Sequence, residues 1–93
     1  MNQDRLNQFK VTVTVENKKY VNDPEGETIF RDLISNSKYS GIKSIRTAKT
    51  FTLLVESSSE RDAIKSVQNM CEELRLYNPI VSDCTVSIKK EDQ

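Results

Sequence analysis

Histidine is absent from this chain of 93 residues, so the side chain most often used as a general acid–base and metal ligand near neutral pH is missing. Ser-His and Cys-His nucleophile pairs are thereby excluded within it. The remaining groups with chemical potential are the corner Asp23-Pro24-Glu25-Gly26, the basic segment Arg46-Thr47-Ala48-Lys49, the carboxylates Glu72-Glu73, and the thiols Cys71 and Cys84. Adjacent residues on a helix diverge, which unsuits Glu72 and Glu73 to paired acid–base work. The acidic corner reads as a capped helix start: Asp23 offers the capping oxygen, and Pro24 takes the first helical position, where its missing N–H costs nothing. Arg46 and Lys49 have the donors to hold a phosphate or a partner's carboxylate, with a solvated turn as the plainer reading. The two cysteines have neither metal-ligand spacing nor a disulfide framework, and both fall on apolar faces, where a reduced thiol packs as a small hydrophobe. Gly26 and Gly41, the only glycines, lie in no phosphate-binding loop.

Composition narrows the function classes further. Lys plus Arg equals Asp plus Glu at 14 each, so no bulk field attracts phosphate backbones or anionic lipid, and nucleic-acid and membrane partners are not expected. No stretch approaches the ~20 apolar residues that a membrane helix requires. Met1 to Gln8 is polar and unlike a signal peptide, which makes the cytoplasm the default compartment. The length fits one domain over 1–93, with 1–8 and 90–93 expected to fray. Such a chain buries a thin core, and self-association is one way to bury more.

The elements that must position these groups follow from periodicity. Phe9 to Glu16 alternates apolar and polar with β-branched residues, predicting a half-buried strand over 9–16. Ile29, Phe30, Leu33 and Ile34 form the stripe of a helix over 24–36, with Glu25 and Glu27 on the favourable side of its dipole. Residues 42–56 are too long for one comfortable strand. We read strands over 42–47 and 50–56 with Ala48-Lys49 as the turn, although alanine suits a two-residue hairpin poorly and a bend in one long strand is the alternative. Ser57 and Glu60 have capping-box spacing ahead of a second helix over 58–76, whose stripe runs Ala63, Ile64, Val67, Met70, Cys71, Leu74. Asn78-Pro79 then stops that helix, and Cys84, Val86 and Ile88 alternate in a last strand over 81–89.

The order strand, helix, strand, strand, helix, strand predicts an α+β two-layer sandwich with ferredoxin-like β-α-β-β-α-β order, right-handed crossovers, and both helices on one face of an antiparallel sheet. An RNA-recognition module shares the order but needs exposed aromatics on its central strands; Phe9 and Phe51 lie in core-facing registers. The outer face carries Lys10, Thr12, Thr14 and Glu16, with Leu54 as its apolar exception, and the sheet leaves two open edges. A homodimer with Leu54 at or near the contact is the expectation.

Four ordered segments carry a family resemblance: Lys10 to Val15, Val21 to Gly26, Ile45 to Lys49, and the run from Met70-Cys71 to Asn78-Pro79-Ile80-Val81. Together the chain resembles PurS, the small subunit of phosphoribosylformylglycinamidine (FGAM) synthase in purine biosynthesis, over roughly residues 9 to 88. Glu25 and Ala48 stand where the family favours glutamine and glycine. The resemblance implies a non-catalytic subunit that forms a homodimer, or a dimer of dimers, and bridges a glutaminase subunit and an ATP-dependent large subunit. Ammonia would pass between those two subunits. It implies no cofactor and no small-molecule substrate in this chain, ATP and Mg being bound by the large subunit. Asp23, Pro24, Gly26, Arg46 and Lys49 are the docking candidates, and Leu54 the dimer-face candidate. An ACT-like amino-acid sensor is the alternative from another class, opposed by the lack of glycine between Asn17 and Asn22.

Overall fold

The long strand β1, Asn7–Asn17, sits at the centre of a three-stranded sheet in a computed structural model that describes residues 6–89. β2, Ala48–Ser57, and β3, Ser82–Ile88, flank it in the order β2-β1-β3, both antiparallel to it. The alternation read from the sequence decides the register. Val11 lies opposite Leu53 and Ile88, and Val13 opposite Phe51 and Val86, so the apolar residues of all three strands share one face. On the other face Thr12 pairs with Thr52 and Lys10 with Leu54.

One helix covers the apolar face. α2, Glu60–Glu73, brings Ala63, Val67 and Cys71 down on Val11 and Val13, and these five residues form the buried core. Fully burying a valine-sized side chain contributes about 1.5–3 kcal/mol, so this narrow seam along β1 carries much of the stability. The flanking Phe51, Leu53 and Val55 of β2, and Cys84, Val86 and Ile88 of β3, are only half-buried.

The ends of α2 differ from expectation. The cap is Ser59, whose hydroxyl accepts from the Asp62 N–H at 3.1 Å, not Ser57 with Glu60. At the other end the helix stops before Asn-Pro is reached. Leu74 closes it, Arg75 takes the left-handed conformation at φ 57°, and the Leu76 N–H donates to the Cys71 carbonyl at 3.0 Å. That is a Schellman close, and it turns Leu76 back onto the core. Asn78-Pro79 instead builds the next turn, in which the Asn78 carbonyl accepts from Val81 and Ser82 and its side chain accepts from Ile80 at 3.0 Å. Because a side chain at positive φ is strained, Arg75→Gly should stabilise the protein by about 1 kcal/mol, read as a higher urea midpoint at unchanged slope.

The expected strand over 42–47 is not formed. Residues 42–47 carry no ladder hydrogen bonds, and Ala48 and Lys49 are the first residues of β2, opposite Glu16 and Val15. A hairpin at 48–49 needs positive φ, which neither residue adopts. Among the described residues the sheet therefore has three strands, with none in the fourth position beside β2. Both neighbour pairs are antiparallel, so the right-handed rule for parallel crossovers does not apply to the β1–α1–β2 connection.

The first helix also departs from the expected layer. α1, Pro24–Ile29, continues as a π turn over Phe30–Ile34, closed by the Ser35 N–H on the Phe30 carbonyl at 2.8 Å. It packs on no strand and not on α2, so among the described residues one helix, α2, lies on the sheet. At the amino end, Asn7 and Gln8 belong to β1 rather than to a frayed tail, whereas the expectations for 1–5 and 90–93 lie outside the described residues.

Candidate functional site

The residues singled out between 23 and 49 meet where α1 begins and β2 starts. Asp23 caps α1: its carboxylate accepts from the Gly26 N–H at 3.2 Å and its carbonyl from the Glu27 N–H at 2.9 Å. The same carboxylate reaches across to Thr47, accepting from the backbone N–H and, at 2.9 Å, from the hydroxyl. One buried side chain thus ties two segments 24 residues apart. The hydrogen bond from Thr47 N–H, then the Thr47 hydroxyl, the Gly26 N–H and the nearby Arg46 charge, hold the Asp23 carboxyl below its ordinary range against the opposing effect of burial.

Gly26 is where the segments approach most closely. A Cβ placed there would lie 2.5 Å from the Ile45 carbonyl oxygen, so the position requires glycine for space. Arg46 closes the corner from the other side. Its guanidinium donates to the carbonyls of Val21, Asn17 and Lys18 at 3.0, 3.1 and 3.0 Å, satisfying the loop that leaves β1. Beside it Lys18 and Asp83 form an ion pair at 2.6 Å, and the Asp83 hydrogen bond pushes the Lys18 pKa up.

Two clefts open on this corner. One of ≈ 410 Å³ is bordered by Asp23, Glu25, Thr47, Lys49, Phe51 and Tyr77. The other, ≈ 430 Å³, is bordered by Glu16, Lys19, Arg46 and Asp83. Both are bordered by cationic and anionic groups together, which suits charged and hydrogen-bonding contacts with a protein surface more than a single ionic ligand. Among the described residues no group of three or more acidic or thiol side chains is arranged to hold a metal ion. Burial, with Cys84 next to it, pushes the Cys71 thiol up to about 11, so it stays protonated and packs rather than reacts.

The structure therefore gathers Asp23, Pro24, Gly26, Arg46 and Lys49 at one corner and places them differently. Asp23 and Gly26 are buried and hold the corner's shape, while Pro24, Arg46 and Lys49 lie on its surface. Leu54 is elsewhere, 66% exposed on the outer sheet face. Sequence reasoning gave no role to Thr47, the second anchor of Asp23, or to Asn17 and Tyr77. A threonine 24 residues from its partner leaves no local signal.

Matches to known proteins extend over nearly the whole chain. The sequence profile of PurS, described as phosphoribosylformylglycinamidine (FGAM) synthase, matches residues 10–90. The phosphoribosylformylglycinamidine synthase subunit PurS of Thermotoga maritima is 37% identical over 78 residues, which is 84% of this chain and 93% of that one. Its counterpart from Methanocaldococcus jannaschii is 33% identical over 82 residues, covering 88% and 96%. Among solved structures, a chain of PurLQS from Thermotoga maritima superposes with a TM-score of 0.77 at 36% identity, covering 89% of this chain and 99% of that chain. The crystal structure of Methanocaldococcus jannaschii PurS gives 0.75 at 32%, covering 88% and 96%. The ACT-like alternative gains no support from these relatives. The ordered motifs, the α+β sheet and the matches converge, and the chain belongs to the PurS family of FGAM synthase subunits.

Proposed function

We propose that this chain is the bridging part of FGAM synthase, docking the glutaminase subunit to the ATP-dependent large subunit. It supports ammonia transfer as FGAR, glutamine and ATP become FGAM, glutamate, ADP and phosphate. The observation that carries this reading is the likeness, at a TM-score of 0.77, to a chain within the PurLQS structure. The chain takes no catalytic step. ATP and Mg belong to the large subunit, and this chain contributes surfaces: Pro24, Arg46 and Lys49 on a corner shaped by Asp23 and Gly26. It works in the cytoplasm as a homodimer, or a dimer of dimers, with Leu54 at the dimer face; no helix among the described residues is long and apolar enough to cross a membrane.

Bridging acts by raising the effective concentration of one subunit near the other, so omission should lower glutamine-dependent ligation by at least on the order of tenfold at dilute subunit concentrations. The measurement mixes the large and glutaminase subunits with and without this chain, supplying glutamine or free ammonia. Ammonia-dependent ligation should change little. Equal glutamine-dependent rates in both mixtures would rule the bridging role out.

A further inference from the structure

The core-facing side of the sheet changes character at the end nearest the corner. Its apolar rows end at Val15 on β1, Phe51 on β2 and Cys84 on β3. One step further along each strand, on the same face, stand Asn17, Lys49 and Ser82. All three strands thus exchange an apolar for a polar side chain at one end, a break of pattern of the kind that marks functional sites. α2 stops at Glu73, and Leu76 and Tyr77 follow it over this end. Here lies the ≈ 410 Å³ cleft, with Val15, Phe51, Leu76 and Tyr77 as its apolar wall.

Ser82 is only 8% exposed, yet its hydroxyl has no hydrogen-bond partner among the described residues. Every wholly buried side-chain polar atom among them does have one, so this hydroxyl opens on the cleft it borders. A buried hydroxyl kept without a partner calls for something to complete it. Asn17 is half spent: its amide nitrogen donates to the Asn22 carbonyl at 2.8 Å, and its side-chain oxygen stays an open acceptor. Three carboxylates, Glu16, Asp23 and Glu25, border the cleft against one ammonium, Lys49. Asp23 is committed to Gly26 and Thr47. Glu16 and Glu25 are exposed and form no ion pair among the described residues, so they give the cleft a negative sign.

The geometry points to an arginine side chain of a partner subunit as the occupant of this cleft. A guanidinium carries five donors and no acceptor, which suits a site whose open groups are the Ser82 hydroxyl oxygen, the Asn17 oxygen and the Glu25 carboxylate. Its plane and aliphatic stem lie against the apolar wall, where the rings of Phe51 and Tyr77 favour a cation. Other side chains fit less well. A carboxylate would meet Glu16 and Glu25, an aliphatic group would leave Ser82 unsatisfied, and a lysine has no planar face to stack. The exposed Lys49 opposes the incoming charge only through water, which screens it. The inference rests on the bridging role above and adds the chemistry that the corner recognises.

The test labels the large and glutaminase subunits with phenylglyoxal, an arginine reagent, alone and in complex with this chain. One partner arginine should be shielded in the complex, and its replacement by lysine should weaken assembly by at least on the order of tenfold. In a double-mutant cycle with Glu25→Ala the two losses should overlap, whereas with Glu56→Ala, an exposed carboxylate at the other end of β2, they should multiply. Ser82→Ala should weaken assembly roughly three- to tenfold and leave the urea midpoint of the free chain unchanged, which a merely structural serine would not do. Shielding of no partner arginine overturns the anchor, as do independent losses for that arginine and Glu25. If omitting the chain still lowers glutamine-dependent ligation in that case, bridging stands without the anchor. Omission without effect overturns both.

Discussion

Gly26→Ala should destabilise the protein by about 1–3 kcal/mol, the range for forcing an extra methyl into a filled space. Helix propensity argues the opposite way. Gly26 lies within α1, where alanine in place of glycine is favoured by roughly 1 kcal/mol. Its backbone needs no positive φ, so alanine meets no dihedral penalty there. The deciding fact is the 2.5 Å from the added Cβ to the Ile45 carbonyl oxygen, with the Asp23 carboxylate oxygen a further 2.9 Å neighbour. Backbone cannot swing aside as a flexible side chain can, so α1 must lift from residues 45–47 and the Asp23–Thr47 bonds must lengthen with it. Urea unfolding at one fixed protein concentration measures this. A higher midpoint for the alanine variant would falsify the close approach.

How much of this was legible in the sequence depends on the range of the interaction. The alternation Phe9, Val11, Val13, Val15 specified both the strand and its buried face, because period-two burial is a local signal. The stripe Ala63, Val67, Cys71 gave α2 and its contact face for the same reason. The Asp-Pro start of α1 was equally readable, since capping is settled within four residues. Failures cluster where a distant partner or a backbone angle decides. The end of α2 depends on Arg75 accepting positive φ, which composition gives no reason to expect of arginine, so the conspicuous Asn-Pro drew the boundary instead. Residues 42–47 do not form the strand read for them. They are steered to the corner by Thr47 bonding to Asp23 and Arg46 bonding across 25 to 29 residues, and those tertiary bonds outweigh the tendency to fold back on β2. The stripe from Ile29 to Ile34 was visible as a helix face, but periodicity says only that a face is apolar, never what covers it.

The Asp23 carboxylate makes the second large effect pH-dependent. Asp23→Asn preserves shape, but an amide has one acceptor oxygen and one donor nitrogen. The four groups facing this side chain, Gly26 N–H, Thr47 N–H, the Thr47 hydroxyl and Arg46, favour an acceptor with negative charge. The amide nitrogen must therefore oppose a donor, and Tm should fall by roughly 5 °C or more, the scale of a lost helix cap in a domain of this size. Thr47→Val removes only the hydroxyl and should fall by less. Linkage fixes the pH signature. The folded pKa of Asp23 is lowered from 3.8, so the unfolded chain binds the proton more readily. The stabilisation is then complete above the unfolded value and is lost as pH falls below 3.8 through the lowered folded value. The Tm gap between wild type and Asp23→Asn should stay constant from neutral pH to about pH 5 and close progressively below 3.8. Since Asn cannot titrate, a gap that instead persists undiminished at acid pH would mean the loss is one of packing, and that the charge of Asp23 does not hold the corner together.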